Sequence, residues 1–256
     1  MKAQDALKGR RALIVGMANA QSIAYGCGRA LRALGAELAV TYLNDKARPH
    51  VEPLARELEA THLLPLNVQV EGQLEAVFDR LRADWGRVDI VMHSIAFATK
   101  AGLYEPLIDC PLADFQQAMD VSCHSLLRIA KLAVPLMTDG GSILTLTFHG
   151  SHRVVEGYGV MGPVKAALES MVKYLAVELG PKRIRVNALS PGPIATRAAS
   201  GIPNFTDLLL EAQRASPLNA AVTIDDVGAA AAFLCQDSAR HITGLVLPID
   251  AGLTVR

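Results

Sequence analysis

The sequence predicts a single-domain, Rossmann-type α/β fold: a doubly wound parallel sheet of about seven strands with helices on both faces. Three observations predict it. Apolar runs of strand length alternate with longer segments of helical period along the whole chain. Those runs are continuously apolar rather than alternating, as in strands covered on both faces. No Pro/Gly/Ser linker, internal repeat or low-complexity block divides the 256 residues, so one domain over 1–256 is the simplest reading.

The elements follow in order. Ala12–Val15 reads as the first strand, and Ile23–Leu34 as a helix ended by Gly35. Glu37–Tyr42 is the second strand, Pro53–Ala60 a helix, and Leu63–Val68 the third strand. Leu74–Trp85 is a helix stopped by Gly86, and Val88–His93 the fourth strand. A long helical stretch covers Phe115–Met137 before the fifth strand, Ser142–Thr147. Val164–Leu179 is helical and ends at Gly180-Pro181. Ile184–Leu189 is the sixth strand and Leu245–Ile249 the seventh. Residues 190–218, with a short helical run at Thr206–Ala215, follow a strand end, where open α/β sheets bind ligands, and are read as a substrate-covering lid.

Composition narrows the function classes. About half of the residues (51%) are apolar, enough for a core without disulfides or metals. Lys+Arg and Asp+Glu both number 25, so the zero formal charge gives no footprint for a nucleic-acid partner. Cys27, Cys110, Cys123 and Cys235 form no CxxC and stand at no metal-ligand spacing to a His; they read as thiols of a reducing compartment, and no metal is expected. The polar N-terminus MKAQDALKGR has no signal-peptide character, and no run approaches the roughly 20 apolar residues of a membrane helix. The expectation is a soluble, cytoplasmic protein with no membrane partner.

A dinucleotide fold needs small residues after its first strand, so that the backbone can turn tightly and a helix N-terminus can meet the pyrophosphate. Gly16, Ser22 and Gly26 supply them, although the plain GxGxxG pattern is absent. Ser22 is also placed to cap the helix and donate to a phosphate. After the second strand, Asp45 suits an adenosine ribose, whereas Lys46 and Arg48 suit a 2′-phosphate; NADH and NADPH both stay open, with NADH preferred. Asn67 and Val68 are placed to flank the adenine. Ser94, Ile95 and Ala96 are small enough to let backbone pass close to the ribose or nicotinamide. Tyr158 can donate a proton or hydrogen bond to a developing oxyanion, and Lys165 can stabilise that charge and hold ribose hydroxyls. Spacing alone does not join those two.

Longer motifs do. SIAYG at Ser22–Gly26, HSIAFA at His93–Ala98, YGVMGPVKAALE at Tyr158–Glu169, RVNALSPGPIAT at Arg185–Thr196, AASGI at Ala198–Ile202 and TIDDVG at Thr223–Gly228 together resemble the short-chain dehydrogenase/reductase superfamily. Within it, they resemble most closely the bacterial enoyl-acyl-carrier-protein reductases of fatty acid biosynthesis. The resemblance runs from about Gly9 to Gly252. Most of the superfamily places the catalytic Tyr and Lys four apart; the enoyl reductases place them seven apart, as Tyr158 and Lys165 are. Tyr42 and Lys46 have the four-residue spacing but follow the second strand, where it is coincidental.

The resemblance implies that Tyr158 hydrogen-bonds the enolate oxygen of an enoyl thioester and that Lys165 binds the nicotinamide ribose. It implies dinucleotide contacts at Gly16, Ser22, Ile23, Asn67, Val68, Ile95 and Ile194–Thr196, and an acyl site lined by Ala98. Phe148 and Met161 adjoin that cleft. It further implies an acyl-carrier-protein-borne substrate and a homotetramer. The chain departs from the family pattern at Phe148, where a second Tyr is usual and its hydroxyl is replaced by His149, by His152 or by nothing; at Leu43, often a polar cofactor-selecting residue; and at Asn67, usually Asp. The competing expectations are a carbonyl or alcohol oxidoreductase of the same superfamily, acting on a 3-oxoacyl or other small substrate, and a dinucleotide-binding protein with little turnover.

Overall fold

The computed structural model describes residues 5–196 and 205–255. In chain order the elements are β1 (Arg11–Val15), α1 (Ile23–Ala33), β2 (Glu37–Tyr42), α2 (Arg48–Glu57), β3 (His62–Pro65), α3 (Gln73–Trp85), β4 (Ile90–His93), α4 (Lys100–Tyr104), α5 (Leu112–Met119), α6 (Ser125–Ala133), β5 (Gly141–Leu146), α7 (Met161–Leu179), β6 (Ile184–Pro191), α8 (Phe205–Ala215), α9 (Ile224–Cys235) and β7 (Val246–Ile249). The seven strands form one sheet in the order β3-β2-β1-β4-β5-β6-β7, and every pairing is parallel. The order reverses between β1 and β4, which opens a crevice at their carboxyl ends, where such sheets bind ligands.

The central strands are apolar throughout because both faces are covered. One core joins them to α3, α6 and α7 through Phe78, Leu126, Val164 and Leu168; the other joins them to α1, α2 and α9 through Ala24, Leu31, Val51 and Val227. Gly26 has its role here. A Cβ on it would lie 2.2 Å from the Ile224 carbonyl oxygen, and one on Gly228 would lie 2.4 Å from that of Gly26. The glycines let α1 and α9 touch backbone to backbone, so Gly26 serves helix packing rather than the approach of a pyrophosphate.

Several elements differ from the sequence reading. The third strand stops at Pro65 instead of Val68: one more bond follows, from the Leu66 N–H to the Tyr42 carbonyl at 2.8 Å, and the chain then turns at Asn67, whose Oδ1 accepts from the Gln69 N–H at 3.0 Å. Helix α2 starts near Pro49 instead of Pro53, since a proline in the first turn initiates a helix. Helix α7 begins at Met161, three residues earlier than the pattern suggested. The long stretch at Phe115–Met137 is interrupted by a π-helical turn at Asp120–His124. The Ser125 hydroxyl donates to the Val121 carbonyl at 2.7 Å, a side-chain competitor one turn back that loosens the α-helical ladder. The AASGI motif, and with it part of the expected lid, lies outside the described residues.

Candidate active site

The residues singled out in the sequence converge on the carboxyl ends of the strands. Gly16 follows β1 with φ +99°, and a Cβ there would lie 2.0 Å from the Ser94 carbonyl oxygen at the end of β4. The two loops on either side of the crevice therefore touch only because Gly16 has no side chain. Gly16→Ala is expected to lower both the melting temperature and NADH affinity, the latter by at least about tenfold, since the loop must shift and φ is strained. A thermal melt and a fluorescence titration that both match wild type would show that the loop adapts.

Ser22 occupies the N-cap position of α1 without capping it. Its hydroxyl instead faces back into the loop, accepting from the Ala18 and Asn19 N–H groups at 3.0 Å and lying 3.3 Å from Asn19 Oδ1. It shapes the loop. The first N–H groups of α1, at Ile23 and Ala24, have no carbonyl one turn back within the helix and suit an anion. This short loop, closed by Gly16 and opening onto a helix N-terminus, fits a dinucleotide pyrophosphate.

Asn67 and Val68 follow β3. Their backbone is held by Gln73 Oε1, which accepts from the Asn67 N–H at 2.7 Å, and by Arg128, which donates to the Val68 carbonyl at 2.6 Å and to Asp120 at 3.1 Å. A polar cavity of about 360 Å³ lined by Val68, Gln69, Asp120 and Arg128 opens beside them. At the end of β2, Leu43 is 54% exposed.

The loop Ser94–Ala98 is fixed from beneath. Ser122, in the π-helical turn, accepts from the Phe97 N–H at 2.9 Å and donates to the Phe97 carbonyl at 3.1 Å. Buried His93 lies 2.8 Å from both Thr145 Oγ1 and Ser125 Oγ. The Ser125 proton is committed to the Val121 carbonyl, so His93 Nε2 donates to Ser125 and its Nδ1 accepts from Thr145. The imidazole is neutral: burial first, and the Lys165 charge second, push its pKa down to about 3.

Lys165 is buried in the second turn of α7, and its Nζ donates to the Leu146 carbonyl at the end of β5 at 2.8 Å. Burial pushes its pKa down to about 8, against the opposing pull of Cys123 and Glu169. Tyr158 sits just before α7, with its ring edge-on to Phe148 at 5.1 Å. Burial, then Glu169, raise its pKa well above the usual phenol range, so it stays a neutral donor. Met161 packs with Tyr158 in the core, and Ala98 and Phe148 pack against that core. Neither histidine near Phe148 is paired with Tyr158. His149 lies against Phe148 at 4.0 Å, while His152 is exposed and turned to Ser151. Ile194 and Thr196 follow β6, where the Thr196 N–H donates to the Ile194 carbonyl at 2.8 Å. A cavity of about 240 Å³ lies nearby under α8, lined by Pro193, Leu209, Leu210 and Val222.

Thr145, Ser122, Ser125, Arg128 and Glu169 were not singled out in the sequence. Their signal is faint: polar residues at inward positions of otherwise apolar segments.

The enoyl-(acyl carrier protein) reductase family model matches residues 16–254. The chain belongs to that family. It is 44% identical over 249 residues to enoyl-(acyl-carrier-protein) reductase (NADH) 2 of Rhizobium meliloti, covering 97% of this chain and 93% of the relative. It is 43% identical to the corresponding NADH reductase of Synechocystis, covering 97% and 98%. The fold of the family extends to solved structures. The Anaplasma phagocytophilum enoyl reductase in complex with NAD superposes with TM-score 0.94 at 43% identity, covering 98% of this chain and 96% of that one. The Bacillus cereus enoyl reductase with NADP+ and indole naphthyridinone superposes with TM-score 0.96 at 40% identity, covering 98% and 99%.

Proposed function

We propose that this chain reduces the trans-2 double bond of an enoyl thioester carried by acyl carrier protein, with NADH as the reductant, as a step of fatty acid biosynthesis. Membership of the family makes it an enoyl-acyl-carrier-protein reductase, an oxidoreductase. The observation that carries the mechanism is the pairing at the end of β5: Lys165 is anchored on Leu146, and Tyr158 is held protonated just before the same helix.

NADH, when bound, would supply a hydride for the β-carbon, and a proton taken up at the α-carbon would complete the saturated thioester. Tyr158 donates its hydrogen bond to the thioester oxygen as negative charge gathers there; burial and the Glu169 carboxylate keep its proton in place. Lys165 holds the nicotinamide ribose and sets its positive charge beside the same oxygen. Gly16, Ser22 and Ile23 form the pyrophosphate turn, and Asn67 and Val68 the adenine wall. Ser94, Ile95, Ala96, Ile194 and Thr196 bracket the nicotinamide half. Ala98, Phe148 and Met161 line the acyl channel, with Phe148 adding ring surface where the family has a hydroxyl.

NADH is favoured over NADPH because Arg48, a candidate for the 2′-phosphate, is engaged with Glu52 at 3.5 Å and lies 5.9 Å over the Tyr42 ring. The chain acts as one catalytic domain, and 190–218 is its cover; α8 above an apolar cavity supports this. A homotetramer is supported by apolar side chains left open on α5 and α7: Leu112 is 70%, Tyr174 77% and Val177 80% exposed. No helix among the described residues is long and apolar enough to cross a membrane. The four free thiols suit the cytoplasm.

The test is consumption of NADH and of NADPH with a trans-2-enoyl thioester, beside a 3-oxoacyl thioester. Oxidation of NADH with the enoyl substrate alone is expected. Oxidation with the oxo substrate alone would replace this reading with a carbonyl reductase, and none with either would leave a binding protein.

A further inference from the structure

We propose that Glu169 is a positioning residue for the reaction: it locks the start of α7 onto the end of β5 and keeps a negative charge behind the Tyr158–Lys165 pair. The proposal rests on the reading of those two residues given above.

Two successive residues of one chain grip two successive turns of one helix. The Leu146 carbonyl accepts from Lys165 Nζ at 2.8 Å, and the buried Thr147 hydroxyl donates to Glu169 Oε1 at 2.6 Å. Lys165 and Glu169 are four apart and share a face of α7. The second bond therefore fixes the rotation and height of the helix that the first one needs. It also keeps the carboxylate half-buried instead of letting it swing into water.

The charge matters as well as the anchor. Glu169 favours the protonated form of both Lys165 and Tyr158. The other groups facing this cluster are Cys123, from the π-helical turn, and neutral His93, from β4; Lys173, one turn further along α7, is exposed. Glu169 is the carboxylate that acts on both reacting residues. Burial holds Lys165 at about 8 with Cys123 and Glu169 pulling the other way, so loss of the Glu169 charge would move its deprotonation further toward neutral pH.

Two variants separate anchor from charge. Glu169→Gln keeps an acceptor for Thr147 and removes the charge; Thr147→Val keeps the charge and removes the bond. NADH binding is titrated by fluorescence across the neutral to alkaline range, together with kcat/KM for the enoyl thioester and a thermal melt. In wild type, affinity falls as Lys165 loses its proton. Glu169→Gln is expected to move that fall about one pH unit lower, with NADH binding up to about tenfold weaker inside the shifted window. Thr147→Val is expected to leave the window in place and to lower kcat/KM several-fold. A Glu169→Gln profile that superimposes on wild type overturns the proposal. So does one displaced by a constant factor at every pH with a lower melting temperature, which marks a structural role. If wild type binds NADH but does not reduce the enoyl thioester, the functional reading fails, and the NADH titration still decides the role of Glu169.

Discussion

Tyr158→Phe lowers kcat for a trans-2-enoyl thioester by about two to three orders of magnitude and leaves NADH affinity within about twofold of wild type. The substitution removes one oxygen and its proton. The ring keeps its place in the core and its edge contact with Phe148 at 5.1 Å. Among the described residues the hydroxyl has no hydrogen-bond partner, so its loss orphans nothing in the free protein, and stability should stay within about 1 kcal/mol. What disappears is a donor aimed at charge that exists only as the reaction proceeds, and such a donor contributes to kcat rather than to ground-state binding. Unchanged turnover would assign the oxyanion to another group. A collapse of NADH affinity would mean that the phenol shapes the cofactor pocket instead.

Lys165→Met has the opposite signature: a more stable protein that no longer holds its cofactor. A lysine ordinarily titrates near 10.5, and here burial brings it down to about 8. The unfolded chain therefore binds this proton more tightly than the folded one. The penalty is fully present below the folded value and vanishes as pH rises past the unfolded value. At about 1.4 kcal/mol per pKa unit, the drop from 10.5 to about 8 corresponds to about 3 kcal/mol. Methionine fills similar space without the charge but strips the Leu146 carbonyl of its donor, which returns about 1 kcal/mol. The net expectation is a gain of about 2 kcal/mol at neutral pH, shrinking through the alkaline range and reversing beyond it, read by urea unfolding at two pH values. NADH affinity falls at least about tenfold at the same time. A variant less stable than wild type at neutral pH would recast Lys165 as a structural anchor.

The sheet was legible in the sequence because its strands are buried on both faces and read as unbroken apolar runs. Legibility failed where a local contact decides the outcome. The Asn67 turn ends β3 early, and the Ser125 hydroxyl takes the Val121 carbonyl inside what reads as one continuous helix. The start of helix α9 is written in the sequence without an apolar period to announce it: Thr223 and Asp226 cap each other's backbone. In the site, Tyr158 and Lys165 stood out by resemblance and Gly16 by its place after a strand. Ser22 was assigned a cap it does not make, because its loop competes for the same oxygen. Gly26 follows the first strand like a cofactor glycine but packs α1 against α9. His93, Thr145 and Glu169 have partners far away in sequence, so only the assembled sheet reveals what each does.

The π-helical turn at Asp120–His124 governs how the molecule tolerates change. Upstream of its end, Ser122 grips the loop at Phe97; downstream, Ser125 meets His93 and Arg128 meets Val68. One residue advances a helix by about 100°. Deleting Cys123 or His124 would leave the first grip in phase and swing the other two away from the crevice. The turn thus works as a phase shifter between the grip on Phe97 and the grips on His93 and Val68. Single-residue deletions there should be far less tolerated than substitutions at the same positions.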